Sequence, residues 1–245
     1  MKIYIKSSFF ALMLLSVLSC KKPTENIKII VDTDILKYTA FIRVIDAATG
    51  LAPVNAKIEI GGAATGNIYE ISGKKTITLV QGITTIGIGP AASPTTANPV
   101  VCTANITAPG YTAVAKTITF TADKNQQVVN ISISKTGSTA PPAIIPNLPV
   151  YTDPVQLNFT GTCSNRSDFA IRPSVYILYR ETGSKNIYQY LGYLDKGMIS
   201  TSSLGLNKTY DFQITFNNES HSVTQKIEQA AYLLTIDMGN ACNNF

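Results

Sequence analysis

The chain has 245 residues, of which 45% are hydrophobic and only 14% charged, against about 25% charged in an average soluble protein. Its surface must therefore be covered largely by Thr, Ser, Asn and Gln. The formal net charge of +5 comes from 20 basic and 15 acidic side chains. They are scattered, with no basic stripe and no interleaved aromatics, which excludes a nucleic-acid footprint.

The first element is Met1-Lys2-Ile3-Tyr4-Ile5-Lys6, a short basic start, followed by an apolar run over 9–18 and then Val17-Leu18-Ser19-Cys20. A basic segment, an apolar core and small residues before a cut site make a secretory signal. The apolar core is well short of the roughly 20 residues that span a bilayer as a helix. With Cys20 directly after Leu18-Ser19, this segment resembles the bacterial lipoprotein signal. That resemblance implies removal of residues 1–19, acylation of the Cys20 sulfur, and a lipid tether to the outer membrane of a cell envelope. Each buried CH₂ of such a lipid contributes about 0.8 kcal/mol, so several acyl chains anchor firmly. The signal takes Lys2 and Lys6 with it, leaving 18 basic and 15 acidic side chains, a net charge of +3. Residues 20–26 form the tether, with Lys21 and Lys22 at the lipid headgroups.

Residues 27–134 read as a first β-sandwich. An apolar run, 27–31, precedes 38–46, which is rich in β-branched and aromatic residues and ends in the turn Ala47-Ala48-Thr49-Gly50. Strand patterns follow at 56–60, 76–80, 84–88, 100–106, 112–120 and 127–133, separated by Gly, Pro and Asn clusters. The stretch from Val44-Ile45-Asp46 through Thr49-Gly50, Pro53-Val54 and Ala56-Lys57-Ile58, with the later Ala108-Pro109-Gly110-Tyr111 corner, resembles carboxypeptidase regulatory-like domains. These are small transthyretin-like sandwiches. The match departs from the family in one extra residue before Pro53 and in a long insert over 89–99. The resemblance implies structural roles: Gly50 for a positive φ, Pro53 for a fixed φ, and Ala56 and Ile58 facing the core.

Residues 135–149 carry Pro141, Pro142, Pro146 and Pro149 and read as a stiff linker. A second β-rich domain spans 150–245, with strand patterns at 155–160, 174–181, 187–194, 209–216 and 231–237 and a hairpin turn at Asn217-Asn218-Glu219. Residues 222–231 suit either strand or a short helix. The fold class is therefore all-β, two sandwiches of Ig-like or transthyretin-like type joined by the linker.

Three cysteines remain beyond Cys20. Cys102 sits in an apolar strand and is expected to be a buried thiol, a small hydrophobe. Cys163 and Cys242 follow strand-like runs near the two ends of the second domain, whose first and last strands are expected to be neighbours, so they are expected to bond to each other. Three unpaired thiols stay open as the alternative, because sequence does not fix Cα separation.

Few residue patterns carry chemistry. The single histidine, His221, is expected on a polar strand edge in solvent, and no G-x-S-x-G elbow supplies a nucleophile. Asp32-Thr33-Asp34 lacks the remaining oxygen ligands of a calcium loop, no zinc spacing occurs, and no cofactor motif is present. Tyrosine is the non-random feature of the second half. By strand alternation Tyr188 and Tyr190 share a face and Tyr193 takes the other. Those two tyrosines could form a platform for a sugar ring, against the plainer reading of core or rim. The sequence thus describes a non-enzymatic, membrane-anchored binding or assembly module whose partner is a glycan or another envelope protein. One alternative is a glycan-binding accessory of an outer-membrane nutrient-uptake system. The other is a pilus subunit, since two-domain transthyretin-like lipoproteins are similar to the fimbrillins of Bacteroidetes. In those, an N-terminal strand is removed at an Arg; Arg43 lies suitably early for this, but it sits inside the strongest strand, whose face explains it adequately.

Overall fold

A computed structural model of the protein describes residues 28–139, 141, 143, 147–185 and 187–244. Cys20, the signal and the tether lie outside the described residues. The protein is all-β. The first sandwich is built from β2 (Thr39–Asp46), β3 (Lys57–Gly61), β4 (Ile68–Glu70), β5 (Ile83–Ile88), β6 (Val100–Thr107), β7 (Val114–Phe120) and β8 (Gln126–Ile133). A four-stranded sheet in the order β4-β5-β2-β8 packs on a three-stranded sheet β3-β6-β7. Alternate residues of both sheets point inward, so Ile42, Val44, Ile86, Ile106, Ile118, Phe120 and Ile131 make one apolar core. Burying each such side chain contributes roughly 1.5–3 kcal/mol.

The turn after β2 explains its own sequence. Asp46 Oδ1 accepts the backbone N–H groups of Ala48 and Thr49 at 2.7 and 3.2 Å, and Gly50 closes the turn with φ +71°. The Tyr111 hydroxyl donates to Asp46 Oδ2 at 2.6 Å and holds that carboxyl below the usual carboxylate range. The two residue groups singled out in the sequence, at 46–50 and 108–111, thus meet in one hydrogen-bonded corner.

The second sandwich comprises β9 (Val155–Thr162), β10 (Phe169–Arg172), β11 (Tyr176–Glu181), β12 (Gln189–Tyr193), β13 (Met198–Thr201), β14 (Thr209–Phe216), β15 (Glu219–Lys226) and β16 (Ala231–Asp237). One sheet runs β12-β11-β14-β15; in the other, β13 and β10 follow one another along one edge of β9 and β16 lies in parallel along the opposite edge. Phe159, Ile177, Phe212, Ile214, Phe216 and Ile236 fill the space between them. Residues 219–226 are strand rather than helix, because β14 offers a full antiparallel partner from Thr209↔Lys226 to Phe216↔Glu219.

Cys163 and Cys242 are bonded, with Cα atoms 5.7 Å apart. Parallel pairing of β9 and β16 ends at Thr162↔Asp237, so both strands deliver their following residues to one end of the sheet. Cys102 is a buried free thiol, pushed up to about 11 by burial.

Two features differ from the sequence reading. The apolar run at the start forms β1 (Ile29–Asp32), which pairs in parallel with β10 of the second sandwich and not with the first. The 76–80 segment makes no strand beyond a bridge from Val80 to Ile83, because the Asn218 side chain takes its backbone groups. Asn218 Oδ1 accepts the Thr78 N–H at 3.0 Å and its Nδ2 donates to the Thr76 carbonyl at 3.0 Å.

Candidate functional site

The two sandwiches meet face to face. Strand β2 is buried along its whole length: Ala40, Ile42 and Val44 face the first core, while the opposite parity, Thr39, Phe41 and Arg43, faces the second sandwich. Phe41 packs on Tyr176 and Tyr190, ring centroids 5.3 and 5.8 Å away, and Tyr193 stands edge-on to Tyr176 at 5.1 Å. Alternation predicts Tyr193 on the far side from Tyr190. A bulge between Ile177 and Leu178 on the pairing map, which pairs Tyr176 with Tyr193 and Leu178 with Tyr190, carries both to the same face. The Tyr176 hydroxyl bonds Thr39 Oγ1 and accepts the Gln127 N–H, each at 3.1 Å. Burial pushes this phenol up to about 12, which keeps it protonated and able to do both.

The face expected to offer Tyr188 and Tyr190 to a sugar therefore lies against the first sandwich. Tyr190 is covered by Phe41; Tyr188 alone lines an open cleft. His221 also departs from expectation: it is buried, and its Nδ1 bonds the Asp237 carbonyl at 2.9 Å. Nor does the Asp32-Thr33-Asp34 segment gather ligands. Asp32 pairs with Arg172 at 3.8 Å and Thr33 Oγ1 accepts the Ser174 N–H; among the described residues no group of three His, Cys, Asp or Glu side chains could hold a metal ion.

The hairpin joining β14 to β15 is the second point of contact. Asn217 and Asn218 both take positive φ, 60° and 61°, the conformation of a two-residue hairpin turn that Asn tolerates. The tip reaches the first sandwich, where Glu70 Oε1 accepts the Asn217 N–H at 3.1 Å and Oε2 accepts the Ser72 N–H at 2.9 Å and the Ser72 hydroxyl. Burial outweighs these hydrogen bonds and raises the Glu70 carboxyl above its ordinary value. A carboxyl raised in the folded state contributes stability that is fully present below its unfolded value and lost as pH rises through the folded one. Wild type should accordingly gain melting temperature relative to Glu70→Gln as pH falls from neutral toward the ordinary glutamate range. Parallel pH dependences of the two proteins would show that Glu70 is not the group responsible.

Beyond the aromatic contact lies a cleft of about 280 Å³ lined by Arg43, Gln81, Arg180, Lys185, Tyr188 and Gln213, among others. Each wall has a local cause. Gln81 and Gly82, with φ +52° and +77°, make a tight turn closed by reciprocal Val80–Ile83 hydrogen bonds of 2.8 and 3.0 Å. A side chain at Gly82 would strike the Val44 carbonyl at 2.7 Å, so glycine is required there. The turn brings Gln81 Oε1 within 2.8 Å of Gln213 Nε2 on β14. Arg180 on β11 lies over the Tyr188 ring at 4.5 Å and donates to Asp211 Oδ2 at 3.1 Å. Burial alone would raise Asp211, but Thr182 and Thr224, each at 2.8 Å, together with Arg180, hold its carboxyl below the usual range.

Arg43 is different. It is 8% exposed, and burial lowers its pKa. Among the described residues, no ion pair or hydrogen bond reaches its guanidinium. It occupies the middle of β2, paired on one side with Ile83 and on the other with Asn130. A cut at Arg43 would sever an interior strand rather than release an edge one. The plain reading of Arg43 as a strand-face residue holds, but its cleft is not legible in the sequence; the available signal is an arginine on a strand with hydrophobic neighbours on both sides.

No family model and no curated protein matches the chain. Among solved structures it is similar to the Bacillus anthracis TIE protein, at 13% identity and a TM-score of 0.28, covering 82% of this chain and 34% of that one. It is also similar to BcpA, the major pilin subunit of Bacillus cereus, at 10% identity and a TM-score of 0.24, covering 82% and 69%. The chain spans about a third of the length of the first of these.

Proposed function

We propose that this chain is a non-enzymatic binding module of the cell envelope, anchored by a lipid on Cys20, with its ligand seated between the two sandwiches. The supporting observation is the cleft itself: it is concave, lies at the junction of two packed units, and has three cationic side chains and two amides on its walls. Junctions of this kind are where small ligands bind, in pockets that are largely pre-formed. The aromatic contacts of Phe41 with Tyr176 and Tyr190 hold the walls in place without a ligand.

Two measurements test this. Cys20→Ala should move the protein from the membrane pellet to the soluble fraction; persistence in the pellet would refute the anchor. The soluble variant, immobilised and exposed to fractionated envelope extract, should retain a component and return it chemically unchanged. Return of a cleaved or modified component would make it an enzyme, and retention of nothing would end the binding reading.

A further inference from the structure

From the unpartnered Arg43 guanidinium at the floor of the inter-sandwich cleft, we infer that the cleft binds the carboxylate of a single-ring, sugar-sized acid. The inference rests on the binding-module reading above and names the ligand class for that site.

A cation that has no partner within the chain is available to an incoming anion. Arg43 is 8% exposed and lines the cleft, through which its guanidinium nitrogens still reach solvent. Asp211, the acid bonded to the cleft residue Arg180, is also held by Thr182 and Thr224. The described lining contains Arg43, Arg180 and Lys185 and no carboxylate. An anion that pairs with Arg43 in the cleft would therefore come from outside the chain.

The chemistry of the site narrows what brings it. A guanidinium presents a planar fork that matches the two oxygens of a carboxylate. Only one of the cations is both buried and uncommitted, since Arg180 is paired with Asp211 and Lys185 is exposed at the rim. One buried positive charge balances one negative charge, which favours a carboxylate over a phosphate dianion. The rest of the wall is not apolar: Gln81 and Gln213 offer amides and Tyr188 a ring edge and hydroxyl, partners for a ligand that carries hydroxyl groups as well as its acid. The volume of about 280 Å³ lies at the small end of ligand pockets, which run from roughly 300 to 1,000 Å³, so the cleft itself holds about one ring.

The experiment is calorimetric titration of the soluble Cys20→Ala protein, in low-salt buffer, with D-glucuronate, D-glucose and inorganic phosphate. Glucuronate should bind and glucose should not. Arg43→Met should weaken glucuronate binding at least about tenfold, the scale of a lost charge-assisted pair, while Lys185→Ala should weaken it only a few-fold and reduce its salt dependence. With no ligand present, Arg43→Met should melt at or near wild type, because the Arg43 guanidinium makes no hydrogen bond or ion pair with the described residues. A lower melting temperature would show that Arg43 serves packing and would overturn the inference. So would glucuronate binding that is unchanged by Arg43→Met, or binding of phosphate alone. Retention of an envelope component by the Arg43→Met variant as firmly as by wild type would remove this site but leave the binding-module reading standing. Loss of retention in wild type would remove that reading itself.

Discussion

Phe41→Ala should destabilise the protein by about 3–5 kcal/mol, the range for truncating a buried aromatic, and should also uncouple the two sandwiches. Phe41 is 1% exposed and is not part of either sandwich's own core; it joins the separate cluster formed with Ile83, Tyr176 and Leu178. Its removal leaves Tyr176 and Tyr190 facing a void at the contact between units, where water can enter. Urea unfolding followed by fluorescence and by far-ultraviolet circular dichroism should give coincident transitions for wild type. In the variant they should separate, one sandwich unfolding before the other. Limited trypsin digestion should then cut more readily within residues 135–149, which lie between the units. A single transition shifted by less than a kilocalorie per mole would mean that the hairpin contact at Glu70 and Asn217, not the aromatic cluster, holds the sandwiches together.

Breaking the Cys163–Cys242 bond should lower the stability of the second sandwich by about 4 kcal/mol at most, from the chain entropy of a long closed loop. The loop spans a sequence separation of 79, nearly the whole sandwich, so the bond restrains almost every unfolded conformation that this unit can adopt. Strain and residual denatured structure reduce the figure. The double variant Cys163→Ser/Cys242→Ser should melt below wild type without dithiothreitol and match reduced wild type with it. Because the sandwiches unfold together, hydrogen-exchange protection at Ile42 and Ile131 in the first should fall with that stability. Cys102 should resist alkylation until global unfolding. An unchanged melting temperature in the double variant would mean that parallel pairing of β9 with β16 is sufficient to secure the C-terminus.

What could be read from the sequence followed the length and regularity of each signal. Strands such as 126–133 alternate between core and solvent, and their period of two is visible without a structure. The Asp46–Gly50 turn and the Tyr111 corner could be found from residue types because turn chemistry is local. Strands β4, β10 and β13, of three or four residues, are too short to show a period and were missed. The 76–80 segment misleads in the opposite way: it has strand propensity, but a side chain 140 positions away satisfies its backbone. Tyr193 was placed on the wrong face because one bulge inverts parity. The candidate site was the least legible part. Its residues come from β2, β11, β14 and two connecting segments of both sandwiches, and only docking brings Arg43 to the same cleft as Lys185.

The route by which the chain enters the fold determines how it would carry load. Strand β1 joins the second sandwich through β10, yet the chain then runs on into the first. Tension applied on the N-terminal side of Ile29 is therefore taken up first by the β1–β10 ladder and by Thr33, whose hydroxyl holds the Ser174 amide. The first sandwich, although next in sequence, is shielded until that ladder gives way. Its release would free residues 29–38, which span at most about 33–36 Å when drawn out straight, before any force reached β2. The protein thus has a short extensible segment in series with two stiffer bodies, so a moderate pull would lengthen the attachment while leaving the cleft intact.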